Sequence, residues 1–310
     1  MKLNSPTKLF TKKPTKKSYS LFRPMILSRH PSHSILRSHK KTLKCLPYQS
    51  VIRFGSTTEV PDTIAKGGKR IEINTVQAIK NSANKFLMKN YFSAGGVKTA
   101  PWFIFTNQGF QSLGLETDID EEYLNIENLP YPIVAKNHYG SGGKGNTLIK
   151  SQEELSAWML GKTMSNYIFE KFINYALEYR LHITKDGCFY TCRKALKKDC
   201  PDDQKWRHHD DTCVWFLEDN ENFMKPNSWK DIINDCVNAL KEIGADILSF
   251  DVKVQSSKDS ENKNREYQNY ILLECNSASS MNNDTDEISV CAQKYINILP
   301  ILIIEKGNGR

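Results

Sequence analysis

Two short apolar strands joined by a loop with four glycines in six positions constrain this chain most. Pro132-Ile-Val-Ala-Lys136 leads into Asn137-His-Tyr-Gly140-Ser-Gly-Gly-Lys-Gly145, and Asn146-Thr-Leu-Ile-Lys150 follows. Glycine lets a backbone approach a ligand closely and take left-handed conformations at little cost. Successive free N–H groups in such a loop form an anion nest, and Lys136 and Lys144 add full charges. The spacing is not that of a P-loop, because Lys144 is followed by Gly145 rather than Ser or Thr. It is not a Rossmann fingerprint either, since no helical pattern begins inside the glycines. What remains is strand, glycine loop, strand: an ordinary hairpin turn or a flap over phosphates.

The surrounding pattern alternates helices and strands. A helix is expected from Asn74 or Thr75, carrying Val76, Ile79, Ala83, Phe86 and Leu87 at spacings of three and four, with Lys85 within it and Gly95-Gly96 ending it. Trp102-Phe-Ile-Phe105 reads as a strand, and Ser151 with Glu154 forms a capping-box pattern. Leu177 to Ile183 alternates apolar with charged (Glu178, Arg180, His182), which predicts a half-buried antiparallel strand. Asp186-Gly187 turns it back into a strand bearing Arg193 and Lys194. An amphipathic helix is expected over 229–243. Between residues 23 and 56 the order strand, helix, strand fits three short apolar segments.

Charge is uneven along the chain. Residues 1–58 hold thirteen Lys and Arg and no Asp or Glu, leaving 30 basic against 35 acidic residues for the rest. Three readings of the basic region compete: a solvated tail, a polyanion contact through residues 1–22, and an organellar targeting segment. There is no run of about 18 apolar residues, so no membrane span is expected. Eight cysteines, several single among apolar neighbours, suit a reduced, cytoplasmic protein. Cys188, Cys192, Cys200, His208 and His209 lie near one another in sequence but lack a C-x-x-C pair.

Ile247 to Val254 and Tyr270 to Asn276 are two apolar strands interrupted by Asp251, Glu274 and Asn276. Charge inside an apolar strand is costly unless it is paired, and two carboxylates with an amide oxygen suit a hard cation such as Mg²⁺. The polar stretch between them is expected to be a long hairpin loop.

Taken in order, Lys85, Val134-Ala-Lys136 before Gly140-Ser-Gly-Gly-Lys-Gly145, Glu170-Lys-Phe-Ile173, Glu178-Tyr-Arg180, Phe250-Asp-Val252 and Glu274-Cys-Asn276 resemble the ATP-grasp superfamily. The likeness is to carboxylate–amine ligases similar to D-alanine–D-alanine ligase and the RimK-like and phage-type ligases, and it covers roughly residues 74–285. It implies an α/β (α+β) ATP-grasp fold with a basic tail (1–22), a pre-ATP-grasp α/β domain (23–73), a central subdomain with the glycine flap (74–168) and a C-terminal subdomain with the metal site (169–310).

The resemblance also implies roles. Lys85 and Lys136 would contact ATP phosphates, and Gly140, Ser141, Gly142, Gly143 and Lys144 would form the flap. Glu170, with the backbone of Phe172 and Ile173, would read the adenine edge, and Glu178 would take the ribose hydroxyls. Arg193 or Lys194 would sit near the transferred phosphoryl group. Asp251, Glu274 and Asn276 would hold one or two Mg²⁺ ions. Arg180, His182, Arg207 and His208 are the candidate substrate contacts. Where the superfamily usually places Pro-Gly after Glu-x-Asn, this chain has Ser277-Ala-Ser-Ser-Met281, which bears on the acceptor pocket.

The implied chemistry is ATP-dependent amide formation between a carboxylate and an amine, small or peptide-like, and homodimers are common among similar ligases. The alternatives are an ATP-grasp kinase acting on a hydroxyl and a non-catalytic nucleotide- or nucleic-acid-binding protein. The sequence has no aromatic and basic platform to support nucleic-acid binding.

Overall fold

The computed structural model describes residues 24–28, 30–38, 48–61, 70–114, 123–140, 145–207, 212–258, 267–281 and 289–309. Ser141 to Lys144, His208 and the basic tail lie outside them. The chain divides into two compact units: residues 1–79, 244–247 and 277–310 form one, and 80–243 with 248–276 form the other.

The first unit is built on a parallel sheet of β1 (Met25–Ser28), β2 (Gln49–Phe54) and β3 (Arg70–Ile73), in that spatial order. The expected strand, helix, strand order holds, with the helix at Ser34–Ser38. A C-terminal helix, Val290–Gly307, packs on β3 and buries Tyr295, Ile296, Leu299 and Ile303. It runs through Pro300, which in sequence reads as a helix breaker. Asn74 ends β3 in a left-handed conformation (φ 58°). Its amide accepts from the N–H groups of Asp246 (2.9 Å) and Ile247 (3.2 Å) and donates to the carbonyls of Arg53 (3.3 Å) and Ile247 (2.9 Å). Thr75, not Asn74, is the residue that caps the next helix, accepting from Ala78 N–H.

The segment in place of Pro-Gly is anchored within this unit. Ser279 offers its carbonyl to His33 Nε2 (2.7 Å), and Met281 N–H donates to Ser32 Oγ (3.1 Å). Ala278 packs so closely on Gly55 (φ 70°) that a Cβ there would stand 2.7 Å from the Ala278 Cβ, so position 55 must be glycine.

The second unit holds two sheets. One has six antiparallel strands: β4 (Trp102–Thr106), β5 (Gly109–Ser112), β6 (Tyr123–Leu124), β7 (Ile133–Asn137), β8 (Thr147–Ile149) and β9 (Tyr167–Lys171), in the order β6-β5-β4-β9-β7-β8. β7 and β8 pair as the strand–glycine loop–strand pattern requires, Ile133 opposite Ile149. The other sheet takes β10 (Leu177–Thr184), β11 (Gly187–Leu196), β12 (Cys213–Leu217), β13 (Ile247–Val254) and β14 (Tyr270–Asn276), in the order β12-β11-β10-β13-β14.

Two expectations are corrected here. The single helix from residue 74 is two helices, Val76–Ala83 and Lys85–Ala94, because Asn84 leaves helical geometry and its side chain caps Leu87 N–H. Lys85 is therefore the first residue of a helix rather than an interior one. β10 is buried on both faces, not one, because its charged face is covered by ion-pair partners.

Candidate functional site

Period-two alternation sorts side chains between core and cavity. On β7, Ile133 and Ala135 enter the core with Phe103, Phe110 and Phe169, while Val134 and Lys136 line a cavity. On β10, Glu178 and Arg180 face the same cavity, and Tyr179 packs on Trp229. Register places Lys194 of β11 directly opposite Glu178, and Asp251 of β13 opposite Glu274 of β14. A bulge on β14 just beyond that pair brings Leu273 to the cavity wall beside Glu274.

The result is a buried lattice of charge. Lys136 and Lys89 clamp Glu170 at 2.5 and 3.1 Å. Arg180 holds Asp251 with two nitrogens, at 2.7 and 2.9 Å. Lys194 bridges Glu178 (2.9 Å) and Asp251 (3.2 Å). Lys85 pairs with Glu274 at 2.9 Å. The Trp215 ring lies over both Arg180 and Lys194, its centroid 5.1 and 5.3 Å from them.

Titration follows from burial against charge. Burial pushes the Glu170 carboxyl up, but Lys136 and Lys89 outweigh it and hold it at about 2. Asp251 is likewise driven up by burial and carried far below the usual carboxylate range by Arg180 and Lys194. Burial lowers Lys89 to about 8 against the pull of Glu170. Burial pushes Glu274 up as well, and Lys85 lowers it overall, so Glu170, Asp251 and Glu274 are held as anions, each matched to a cation.

Sequence-predicted residues fall into three groups. Lys85, Lys136, Glu170, Glu178, Arg180, Lys194, Asp251 and Glu274 form the lattice. Phe172, Ile173, Arg207 and Asn276 also line the cavity. Arg193 and His182 are not brought to it. Arg193 is next to Lys194 in the strand and so points to the opposite face, where its guanidinium donates to the Asn222 carbonyl (2.5 Å) and stacks on Phe216. His182 is fully buried against Phe189 and Tyr190, and burial lowers it to about 3, so it is neutral. Gly140 turns at the end of β7, its N–H donating to Asn137. Ser141, Gly142, Gly143, Lys144 and His208 lie outside the described residues. Cys188 and Cys192 share β11, and burial pushes both thiols up to about 12.

Sequence reasoning missed Lys89, Lys253, Trp206 and Trp215. The first two carried a signal: Lys89 is one helical turn after Lys85, and Lys253 is two strand residues after Asp251, hence on the same face.

Among the described residues no three His, Cys, Asp or Glu side chains form a metal cluster. The candidate donors are instead the two opposed carboxylates of Asp251 and Glu274 with Asn276, whose Nδ2 lies 3.5 Å from Glu274 Oε1. Two carboxylates and an amide are the donor set a hard divalent ion takes, and the ion would replace part of the pairing that Arg180, Lys194 and Lys85 now give Asp251 and Glu274.

The model of the family described as carbamoyl-phosphate synthase L chain, ATP binding domain, matches residues 106–282, more than half of the chain. The chain belongs to this family. Its fold is ATP-grasp, as the order of motifs led us to expect. The N5-carboxyaminoimidazole ribonucleotide synthase of Staphylococcus aureus (strain COL) is 30% identical over 110 residues, which are 35% of this chain and 26% of that protein. This ATP-grasp chain thus spans about a quarter of the length of the curated relatives it matches.

Among solved structures, the D-alanine–D-alanine ligase from Bacillus anthracis superposes with a TM-score of 0.59 at 13% identity, over 93% of this chain and 98% of that one. N5-carboxyaminoimidazole synthetase from Staphylococcus aureus complexed with ADP gives 0.53 at 16% identity, over 86% and 63%. At these identities the structural likeness bears on the fold alone. Among the described residues no helix is long and apolar enough to cross a membrane.

Proposed function

We propose that the chain binds MgATP in this cavity and uses it to join a carboxylate to an amine. The observation that carries the reading is the charge lattice: Lys85, Lys89, Lys136, Arg180, Lys194 and Lys253 against Glu170, Glu178, Asp251 and Glu274. The excess is positive, and it complements a nucleotide that keeps net negative charge with its metal bound. Phosphoryl transfer needs positioning and charge neutralisation more than a reactive side chain, and such a lattice supplies both.

In this reading Lys85 and Lys136 bind phosphates. Both Glu170 oxygens are engaged by lysines, so adenine recognition falls to the backbone of Phe172 and Ile173. Glu178 takes the ribose hydroxyls. Asp251, Glu274 and Asn276 would hold Mg²⁺, which would supply Lewis-acid neutralisation of phosphate charge. Lys194 and Arg180 stabilise the charge on the transferred group, and Arg207, stacked on Trp206, contacts the acid substrate.

A substrate carboxylate oxygen attacks the γ-phosphorus, and ADP leaves. The amine then attacks the carbonyl carbon of the acyl-phosphate and loses a proton. Phosphate departs with the original carboxylate oxygen, leaving an amide. Calorimetric titration with MgATP tests the site: Lys136→Met should weaken binding about ten-fold or more, the loss of one charge-assisted contact. Absence of binding by the parent protein would refute the reading.

A further inference from the structure

Lys253 is the one buried cation of the cavity wall that no carboxylate holds, among the described residues. The residue is 6% exposed, and the neighbour its ammonium meets is the Phe172 ring, 5.7 Å from the centroid. Glu178, the acid it senses at longer range, is already bonded to Lys194. Burying an ammonium without a counter-charge or a full set of acceptors is costly.

Its place in the strand says what it faces. Asp251 and Lys253 are two apart on β13 and point to the same side, so their Cα atoms stand about 6.6 Å apart along the cavity. Lys253 is opposite Ile271 and has the Phe172 ring beside it, in the wall that Ile173 and Val134 also line. It thus stands beside Phe172, whose backbone is read above as facing adenine, and within electrostatic reach of Glu178, read as the ribose acceptor, with Lys136 and Lys194 also in range.

We infer that Lys253 is a specificity-determining residue that donates a charged hydrogen bond to an acceptor atom of the nucleoside. The inference rests on the reading of this cavity as an ATP site. It predicts a trade between stability and binding. An apolar side chain of similar length at position 253 removes an unpaired buried charge and should stabilise the free protein, while the nucleotide loses its donor.

The test is Lys253→Met, measured by thermal unfolding of the free protein and by titration with MgATP, adenosine and tripolyphosphate. The expected result is a raised Tm, an ATP Kd weakened about ten-fold or more, the same loss for adenosine and no change for tripolyphosphate. Lys253→Arg, which keeps the donor, should recover part of the affinity. A lowered Tm with unchanged ATP binding would make the lysine structural and overturn the inference. So would a loss confined to tripolyphosphate and ATP, which would make its partner a phosphate. Failure of the parent protein to bind ATP would instead refute the site itself, and the two failures are therefore distinguishable.

Discussion

Arg180 grips Asp251 through both carboxylate oxygens, Nε at 2.7 Å and the terminal nitrogen at 2.9 Å, from the neighbouring strand of one sheet. Lys194 adds a third contact to the same acid. Asp251 is thereby kept ionised in a buried place, which is the state a metal ligand needs. Asp251→Asn should reduce ATP-dependent turnover about 100-fold or more, read as ADP release at saturating MgATP. Arg180→Leu removes one partner of a buried pair and should lower unfolding free energy by about 3 kcal/mol in urea denaturation, because Asp251 is left partly uncompensated.

Lys194 and Arg193 are adjacent, and the sheet sends them to opposite faces. Lys194→Met should abolish ADP release. Arg193→Ala should leave it within about two-fold and cost stability instead, through its lost bond to the Asn222 carbonyl. Equal losses of activity in the two variants would contradict the assignment of Lys194.

Glu170 gives a pH signature. Its carboxyl is held at about 2, below its ordinary 4.5, by Lys136 and Lys89 against the opposing effect of burial. A depressed carboxyl contributes stability that is fully present above the unfolded value and is lost as pH falls through the folded one. Unfolding free energy should therefore drop between about pH 4.5 and pH 2. Glu170→Gln should lower stability at pH 7 and flatten that slope, as measured by urea denaturation across the range.

How much of this was legible in sequence depended on the local rule involved. Asp251, Glu274 and Glu178 stood out because charge in an apolar strand needs a reason, and the strand period put Asn276 on the face of Glu274 and Arg180 on the face of Glu178. Arg193 and Lys194 remained an open pair, since only the pairing of Glu178 with Lys194 decides which one looks inward. Lys89 follows Lys85 by one helical turn, but nothing local reveals that Glu170 waits 81 positions away in the chain. The helix Val290–Gly307 escaped because Pro300 and a nearly uniform apolar run hide the helical period. The break at Asn84 was equally hidden, as one apolar stripe continues across both helices.

Asn74 offers a test of the fold itself. It occupies a left-handed position and satisfies four backbone groups, including those of Asp246 and Ile247. Asn74→Ala should cost about 3 kcal/mol, through buried groups left unpaired and a disfavoured φ. Asn74→Gly should recover up to about 1 kcal/mol of that, since glycine takes the conformation freely. Denaturant titration of the two variants beside the parent measures both steps.

The central claim is formation of a carbon–nitrogen bond through an acyl-phosphate. The direct measurement is mass spectrometry of a reaction holding the protein, MgATP and a pool of amines, amino acids and peptides whose carboxylates carry ¹⁸O. The account predicts ADP, phosphate containing one ¹⁸O atom, and a product lighter than the sum of two pool members by one labelled water. A pool member that keeps the phosphoryl group on a hydroxyl, or released phosphate without label, would contradict it.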